Sequence, residues 1–443
     1  MNMIKNEGIP VERKHVKLTS QNPIITTIYT ADPSAHVWED GKVYIYASHD
    51  MDPARGCDLM DRYHVYSSSD MVNWLDEGEI LRSDDVAWGR PEGGFMWAPD
   101  CAYKNGTYYF YYPHPSGSNW NDTWKIGVAT SQKPGSGFKD QGYISGLGGF
   151  ALIDPCVLVD DDGRAYMYYG GGSRCEGGEL NDDMMSINGE MREMEGLEDF
   201  HEAAWVFKRA DLYYLTYADN LDGNNRMRYA TSKHPLGPWT YRGIFLEPTG
   251  CSTTHGSVAE FKGQWYLFYH NQEISGQGNL RSMCIDYLYF NEDGTIQTVV
   301  QTKEGVKPVG DAPAPNTNQK TYSASRVDGG AVVETNEQGE SVVNRLDIEG
   351  SYCEFQAING EKGGRAAIHI RYATAERLAK LNLTVNGHDY SLLNALSTGS
   401  LLDYSGLASI TVQLEPGDDN IIRLTGGNGE ISVVSITVSP FLD

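Results

Sequence analysis

The sequence predicts an all-β protein, a five-bladed β-propeller followed by a β-sandwich of the jelly-roll type. Two features predict it. An aromatic strand preceded by a tight turn recurs five times in roughly the first 310 residues. Then a Pro-, Ala- and Asn-rich stretch, "DAPAPNTNQ" from Asp311, gives way to short alternating strands poor in aromatics. Long helical periodicity is missing, which argues against βαβ packing.

The first unit runs "ADPSAHVWEDGKVYIYASHD" from Ala31 to Asp50. "VYIYA" is a β-prone run and "EDGK" a tight turn before it. The unit opens on Asp32 set against Pro33, and a carboxylate at the mouth of a buried strand is costly unless something needs it. The same order returns as "WAPDCAYKNGTYYFYYPH" from Trp97, "DPCVLVDDDGRAYMYYGG" from Asp154, "EAAWVFKRADLYYLTYAD" from Glu202 and "HGSVAEFKGQWYLFYHNQ" from His255. Aligned on Gly41, Gly106, Gly163, Ala210 and Gly263, the spacings are 65, 57, 47 and 53 residues. That suits four short strands with loops in each unit. "YSSSDMVNWLDEG" from Tyr66, "VATSQKPGSGFKDQG" from Val128 and "YATSKHPLGPWTYRG" from Tyr229 supply the outer strands of a blade. After the linker, "AVVET", "SVVNRLDI", "CEFQAI", "RAAIHIRYA", "KLNLTVNG", "ASITVQL", "NIIRLTG" and "ISVVSITV" give eight strands of a sandwich. The expected divisions are an N-terminal extension over 1–20, the propeller over 21–310, a linker over 311–319 and the sandwich over 320–443.

The 443 residues carry a formal net charge of −25, which repels phosphate backbones and anionic membrane surfaces but tolerates a neutral ligand. The 28 Tyr and 9 Trp favour strands, and also suit the flat apolar faces of sugar rings. No apolar run is long enough for a signal-peptide core or a membrane span. Seven scattered cysteines without a CxxC pair read as reduced, mostly buried thiols, so a cytoplasmic location is expected.

The first strand of each propeller blade lines the central channel, so the residues opening those strands converge near one end of the axis. Here they are Asp32, the Trp97–Asp100 segment, Asp154, Glu202 and His255. Three carboxylates in an aromatic, negative pocket suggest glycosidic bond cleavage, with one carboxylate ionised and another holding its proton. Taken singly, an Asp-Pro is ordinarily a turn or an Asx cap, and only recurrence at equivalent positions points to chemistry. Asp160 to Asp162 in "DDDG" fit a hairpin turn better than a calcium loop. His255 fits either a core histidine or a ligand for a central metal or water, and Arg281 either a surface charge or a lock on a carboxylate.

These five segments, with "RSMCIDYLYFNEDGTI" from Arg281, together resemble glycoside hydrolase family 43. The resemblance implies an inverting enzyme on arabinose- and xylose-containing glycans. It implies Asp32 as general base, Glu202 as general acid and Asp154 as the carboxylate that tunes and orients the acid. It also implies Arg281 as a contact to the sugar and to that tuning carboxylate, and Trp97 and Trp88 as aromatic walls of the sugar site. His255 would sit in the central channel beside water or a structural Ca2+ ion, with no cofactor required. The expected activity is exo-release of α-L-arabinofuranose or β-D-xylose from short arabinoxylan or xylan oligosaccharides. A debranching arabinoxylan arabinofuranohydrolase is the alternative, and a non-catalytic sugar-binding propeller a remoter one. The C-terminal part is similar to carbohydrate-binding module family 6 in "GSYCEFQAING", "AAIHIRYAT", "LNLTVNG", "LEPGDDNIIRLTG" and "ISVVSITV". It lacks the family's tryptophan and late asparagine, and is expected to pack on the propeller or border its site.

Overall fold

The structure, a computed structural model, describes residues 19–53, 58–147, 151–221, 223–310, 313 and 317–441. It is all-β, and the described residues contain no α-helix, only single 3-10 turns at Ser83–Asp85 and Trp120–Asp122. Most of the expected 1–20 extension and of the 311–319 linker lies outside the described residues.

Four antiparallel sheets of four strands and one of three follow one another, each in chain order. Their first strands are Tyr29–Val37, Asp100–Lys104, Cys156–Val159, Glu202–Arg209 and Ser257–Phe261. The aromatic strands follow as Val43–Asp50, Thr107–Pro115, Ala165–Gly171, Leu212–Ala218 and Gln264–Asn271. The turn between the first two strands carries Gly41, Gly106, Gly163, Ala210 or Gly263, at φ between 51° and 83°. Four of the five have the residue that enters this left-handed region freely, and Ala210 adopts it without that freedom. The "DDDG" turn is such a hairpin: the Gly163 amide donates to the Asp160 carbonyl, and Lys208 Nζ lies 2.8 Å from both Asp160 and Asp161. The expectation of four strands per unit fails in the fifth, which ends with Ser282–Leu288. Its outer side is instead stitched to the chain start. The Ile24 amide donates to the Met283 carbonyl, and the Ser20 and Asn22 amides to Val306 and Lys303.

The five first strands are bonded in a ring. Ser34 Oγ donates to Asp100 at 2.6 Å, and Asp100 accepts the Val157 amide at 2.6 Å. The Val206 amide donates to Cys156 Sγ, Trp205 Nε1 to the Val258 carbonyl, and the Ala35 amide to Ser257 Oγ. A second, open series of links joins the five sheets through their aromatic strands. Tyr46, Tyr111, Tyr168 and Tyr214 are all fully buried. Each donates to a loop carbonyl of the next sheet, at Pro134, Met184, Pro235 and Gly294 respectively. Most of the tyrosines are therefore core, not sugar platform. The ring is the apolar mass and the hydroxyl the satisfied polar tip.

The C-terminal strands form a six-stranded and a five-stranded antiparallel sheet. They share one apolar core that includes Ile368, Ile410 and Ile436 from one sheet and Phe355, Leu381 and Leu424 from the other. All eight expected strands are present, and three were missed: Lys320–Tyr322, Arg326–Asp328 and His388–Leu396. The first two have three residues each. The third lacks β-branched residues and is held extended by pairing with Leu378–Val385. The six described cysteines, Cys101, Cys156, Cys175, Cys251, Cys284 and Cys353, are buried free thiols. Cys57 lies outside the described residues.

Candidate active site

Asp32, Trp97, Asp154, Glu202, His255 and Arg281 line one cavity of about 130 Å³, with Met60, Ala98, Ile153, Thr253 and Thr254 completing the wall. Glu202 opens a first strand, Asp154 and His255 stand two residues and Trp97 three residues before one, and Asp32 is the fourth residue of Tyr29–Val37. The backbone is bent there. Asp32 and Asp154 are both at φ 52°, and Ala203, next to Glu202, is at φ 64°. Strand pairing breaks register between Ala31 and Ser34 and between Glu202 and Trp205. Such bulges turn a side chain off the sheet and toward the axis. Non-glycine residues hold these angles only where the surroundings over-determine them. Here the Asp32 amide donates to His270 Nδ1 at 3.1 Å, and the Ala203 amide to Asp154 Oδ2 at 2.8 Å.

Asp32 is 5% exposed. Burial, the largest single influence, would raise its carboxyl, but Arg281 together with the smaller contributions of His270, His255 and the Ser48 hydroxyl holds it below the ordinary value. Arg281 Nη1 lies 2.7 Å from Asp32 Oδ1 and Nη2 3.3 Å from Oδ2, and Ser48 Oγ donates to Oδ2. Arg281 is itself fixed by Asp50, which accepts its backbone amide at 2.7 Å and its guanidinium at 2.8 and 2.9 Å. Thr253 Oγ1 accepts a further bond from Nη1 at 2.9 Å.

The other two acids behave oppositely. Burial raises Glu202 to about 7, with the Asp32 charge adding and Arg281 opposing. Burial, then the charges of Glu202 and Asp32, push Asp154 well up. The two carboxyls titrate together, and the pair keeps a proton near neutral pH. His255 Nδ1 stands 3.8 Å from Asp154 Oδ2, and burial lowers this imidazole to about 4, so it is neutral. His270 is lowered to about 3 by burial and by Arg281. Its Nδ1 accepts from Asp32, so its proton sits on Nε2, 2.9 Å from the Thr253 carbonyl.

Two sequence expectations are corrected. Arg281 bonds Asp32 and Asp50 rather than the tuning carboxylate, and reaches Asp154 only through its charge. Trp88 is not part of the cavity wall. Its ring stacks 6.1 Å from Tyr112, and its Nε1 donates to Asp140 at 3.3 Å. It covers Gly127, where a Cβ would come within 2.7 Å of the Trp88 ring. Trp97 does line the cavity, backed by Trp124 at 4.3 Å and by Phe95 and Trp120. Asp100 is buried beneath the site in the ring of first strands, bonded to Ser34 and His36. Asp50 and His270 were missed. Their one signal was position, since each stands at or next to the end of an aromatic strand, in "YASHD" and "LFYHN".

One ionised carboxylate facing a proton-holding carboxyl pair across an aromatic-walled cavity is the equipment of glycoside hydrolysis. Residues 20–296 match the family model described as glycosyl hydrolases family 43. The chain belongs to that family. This member is 36% identical over 333 residues to "Xylosidase/arabinosidase 43A" of Humicola insolens, covering 62% of this chain and 98% of that one. Among solved structures, it resembles a family 43 β-xylosidase/α-arabinofuranosidase from a compost microbial metagenome, in complex with xylotriose and calcium-free. That match has TM-score 0.58 and 36% identity, over 63% of this chain and 97% of that one. A family 43 arabinoxylan arabinofuranohydrolase from Bacillus subtilis, in complex with cellotetraose, matches with TM-score 0.57 and 25% identity. It spans 95% of this chain and 97% of its own, so the likeness extends into the C-terminal sheets.

Proposed function

We propose that this glycosidase releases β-D-xylose or α-L-arabinofuranose from the ends of short xylan or arabinoxylan oligosaccharides, with inversion. Asp32 is the general base that takes a proton from water, Glu202 the general acid that protonates the leaving oxygen, and Asp154 the group that tunes and orients Glu202. Trp97 offers the sugar an aromatic face. The observation that carries this reading is the split between Asp32, held down against burial by Arg281 and its other polar neighbours, and the Asp154–Glu202 pair, held up. A base must be ionised and an acid protonated at the same pH, and this site meets both needs. The names of the similar proteins supply the sugar class.

The ring of five first strands supports a five-bladed propeller over residues 21–310, and the shared C-terminal core supports a β-sandwich over 320–443. No group of three or more His, Cys, Asp or Glu among the described residues is placed to hold a metal ion. The donor set therefore does not fit a protein-caged calcium. A Ca2+ ion beside His255 would need a shell made mostly of water, and no step of the reaction passes through it.

Asp32→Asn removes the proton acceptor while keeping the shape. Turnover should fall at least about 100-fold, the lower end of a general-base contribution. Freshly released sugar, followed by NMR, should carry the anomeric configuration opposite to the substrate's. Retained configuration, or an active Asp32→Asn enzyme, would sink the assignment. The debranching reading is favoured by the near full-length likeness to an arabinoxylan arabinofuranohydrolase. Faster release of arabinose from intact polymer than from oligosaccharides would establish it.

A further inference from the structure

We propose that the C-terminal sheets are a positioning device for the base, holding the Asp32–Arg281–Asp50 chain in register from behind. This rests on Asp32 as base. Three residues of the catalytic half form a small buried cluster, Tyr29, Ile274 and Leu280, capped by Leu378 and Leu396 from the C-terminal half. Two of the three, Tyr29 and Leu280, are tied to the site. Tyr29 is three positions before Asp32 in the same strand, and its cross-strand partner is Asp50. Leu280 immediately precedes Arg281.

The anchorage begins further back along the same segment. Ile28, 1% exposed, is a member of the apolar core of the C-terminal sheets, not of the catalytic half. The Asn394 amide donates to the Thr27 carbonyl at 2.6 Å, and the Ser409 amide to Thr27 Oγ1 at 3.1 Å. Lys380 pairs closely with Asp52, two residues beyond Asp50, and its ammonium stands 5.4 Å over the Tyr29 ring. The stretch leading into the base, the stretch leaving Asp50 and the residue before Arg281 are therefore all seated on the C-terminal half. None of these contacts reaches the cavity, which is lined by residues of the catalytic half.

Asp32 sits at a left-handed φ and depends on one guanidinium shared with Asp50. A small loosening of that grip is felt directly. Displacement of a catalytic group by about 1 Å can cost as much as 100-fold in rate. If Arg281 relaxes, Asp32 loses its main charge partner against burial and its carboxyl rises. The acid limb of kcat/KM then moves to higher pH. Simple loss of a glycan-binding module would instead raise KM on polymer and leave the pH profile alone.

The test uses full-length Lys380→Met and Leu396→Ala, checked for fold by thermal melting, on a nitrophenyl xyloside and on xylotriose. The expected result is a fall in kcat on the order of 10-fold with KM little changed, and an acid limb shifted upward, with Lys380→Arg restoring both. Folded variants with wild-type kcat and acid limb would overturn the proposal, as would a loss confined to KM on polymer. Asp32→Asn is run beside them. If it stays active, the base assignment fails and the proposal with it. If it is dead while the C-terminal variants are normal, only the positioning role fails.

Discussion

Glu202 keeps its proton to about pH 7 because it is buried beside the charge of Asp32. Asp32 is ionised from below the ordinary carboxylate range. The rate should therefore fall above about pH 7, where the acid is lost, and hold on the acid side down to where Asp32 protonates or the fold fails. Glu202→Ala should lose most activity on natural glycosides but far less on substrates whose leaving group needs no proton; equal losses on both would remove Glu202 from the role. The same carboxyl makes stability depend on pH. The folded group holds its proton to about 7 and a free one only to about 4.5, so its contribution is whole below pH 4.5 and lost as pH rises to 7. Glu202→Gln removes that titration. Its melting temperature should exceed the wild type's by a margin that grows from pH 4.5 to 7 and then levels off; a margin flat with pH would mean Glu202 is not raised. Asp32, Asp154 and Glu202 were legible in the sequence because each stands at the front of a recurring unit. Asp50 and His270 were not, because they act across strands. His270, which accepts the Asp32 amide, lies 238 positions further along the chain.

The sheets are tied by residues whose purpose the sequence shows less openly. Recurring turn residues, four glycines and Ala210 at uneven spacing, marked the hairpins. The tyrosine-rich strands between them suggested sugar stacking, yet Tyr46, Tyr111, Tyr168 and Tyr214 are bolts between one sheet and the next. Sequence period tells which face of a strand is apolar, but not which loop carbonyl lies at the far end of a phenol. Trp88, expected from the family resemblance as a wall of the sugar site, was misplaced for the same reason: its packing on Gly127 is set by the fold. Tyr111→Phe tests the bolt. It keeps the ring and removes the hydroxyl that reaches the Met184 carbonyl at 2.8 Å, leaving a buried acceptor unpaired at a cost of about 1–3 kcal/mol. Chemical denaturation should show that loss, with kcat on a nitrophenyl xyloside unchanged. An unchanged midpoint would show that water replaces the phenol at no cost.

At the scale of the whole molecule, the C-terminal sheets meet the catalytic half in two places, and these should separate in experiment. One lies behind Asp32 and Arg281. The other is the outer edge of the first sheet, around Leu75–Arg82. There Arg365 Nη1 donates to the Glu77 carbonyl at 2.9 Å, to its carboxylate at 3.0 Å and to the Gly135 carbonyl at 3.3 Å. The Thr411 amide and hydroxyl bond Asp76 at 2.8 and 2.6 Å, and Arg62 Nη1 donates to the Tyr390 carbonyl at 2.7 Å. Glu77 is 7% exposed, so a truncated Arg365 leaves a buried carboxylate that keeps the Ser67 Oγ bond and loses its guanidinium. A hydrogen bond to a charged group contributes about 1.5–3 kcal/mol, and several at one junction are enough to make two halves melt as one. The wild type should unfold in a single calorimetric transition. Arg365→Ala with Thr411→Val should split it, the catalytic half melting on its own. Because neither Arg365 nor Thr411 lines the cavity or bonds Asp32, Arg281 or Asp50, the double variant should keep the wild-type acid limb of kcat/KM at temperatures below the first transition. If the transition stays single, the halves are held together chiefly by Ile28 and the cluster around Tyr29; if the acid limb moves as well, the two contact regions act as one.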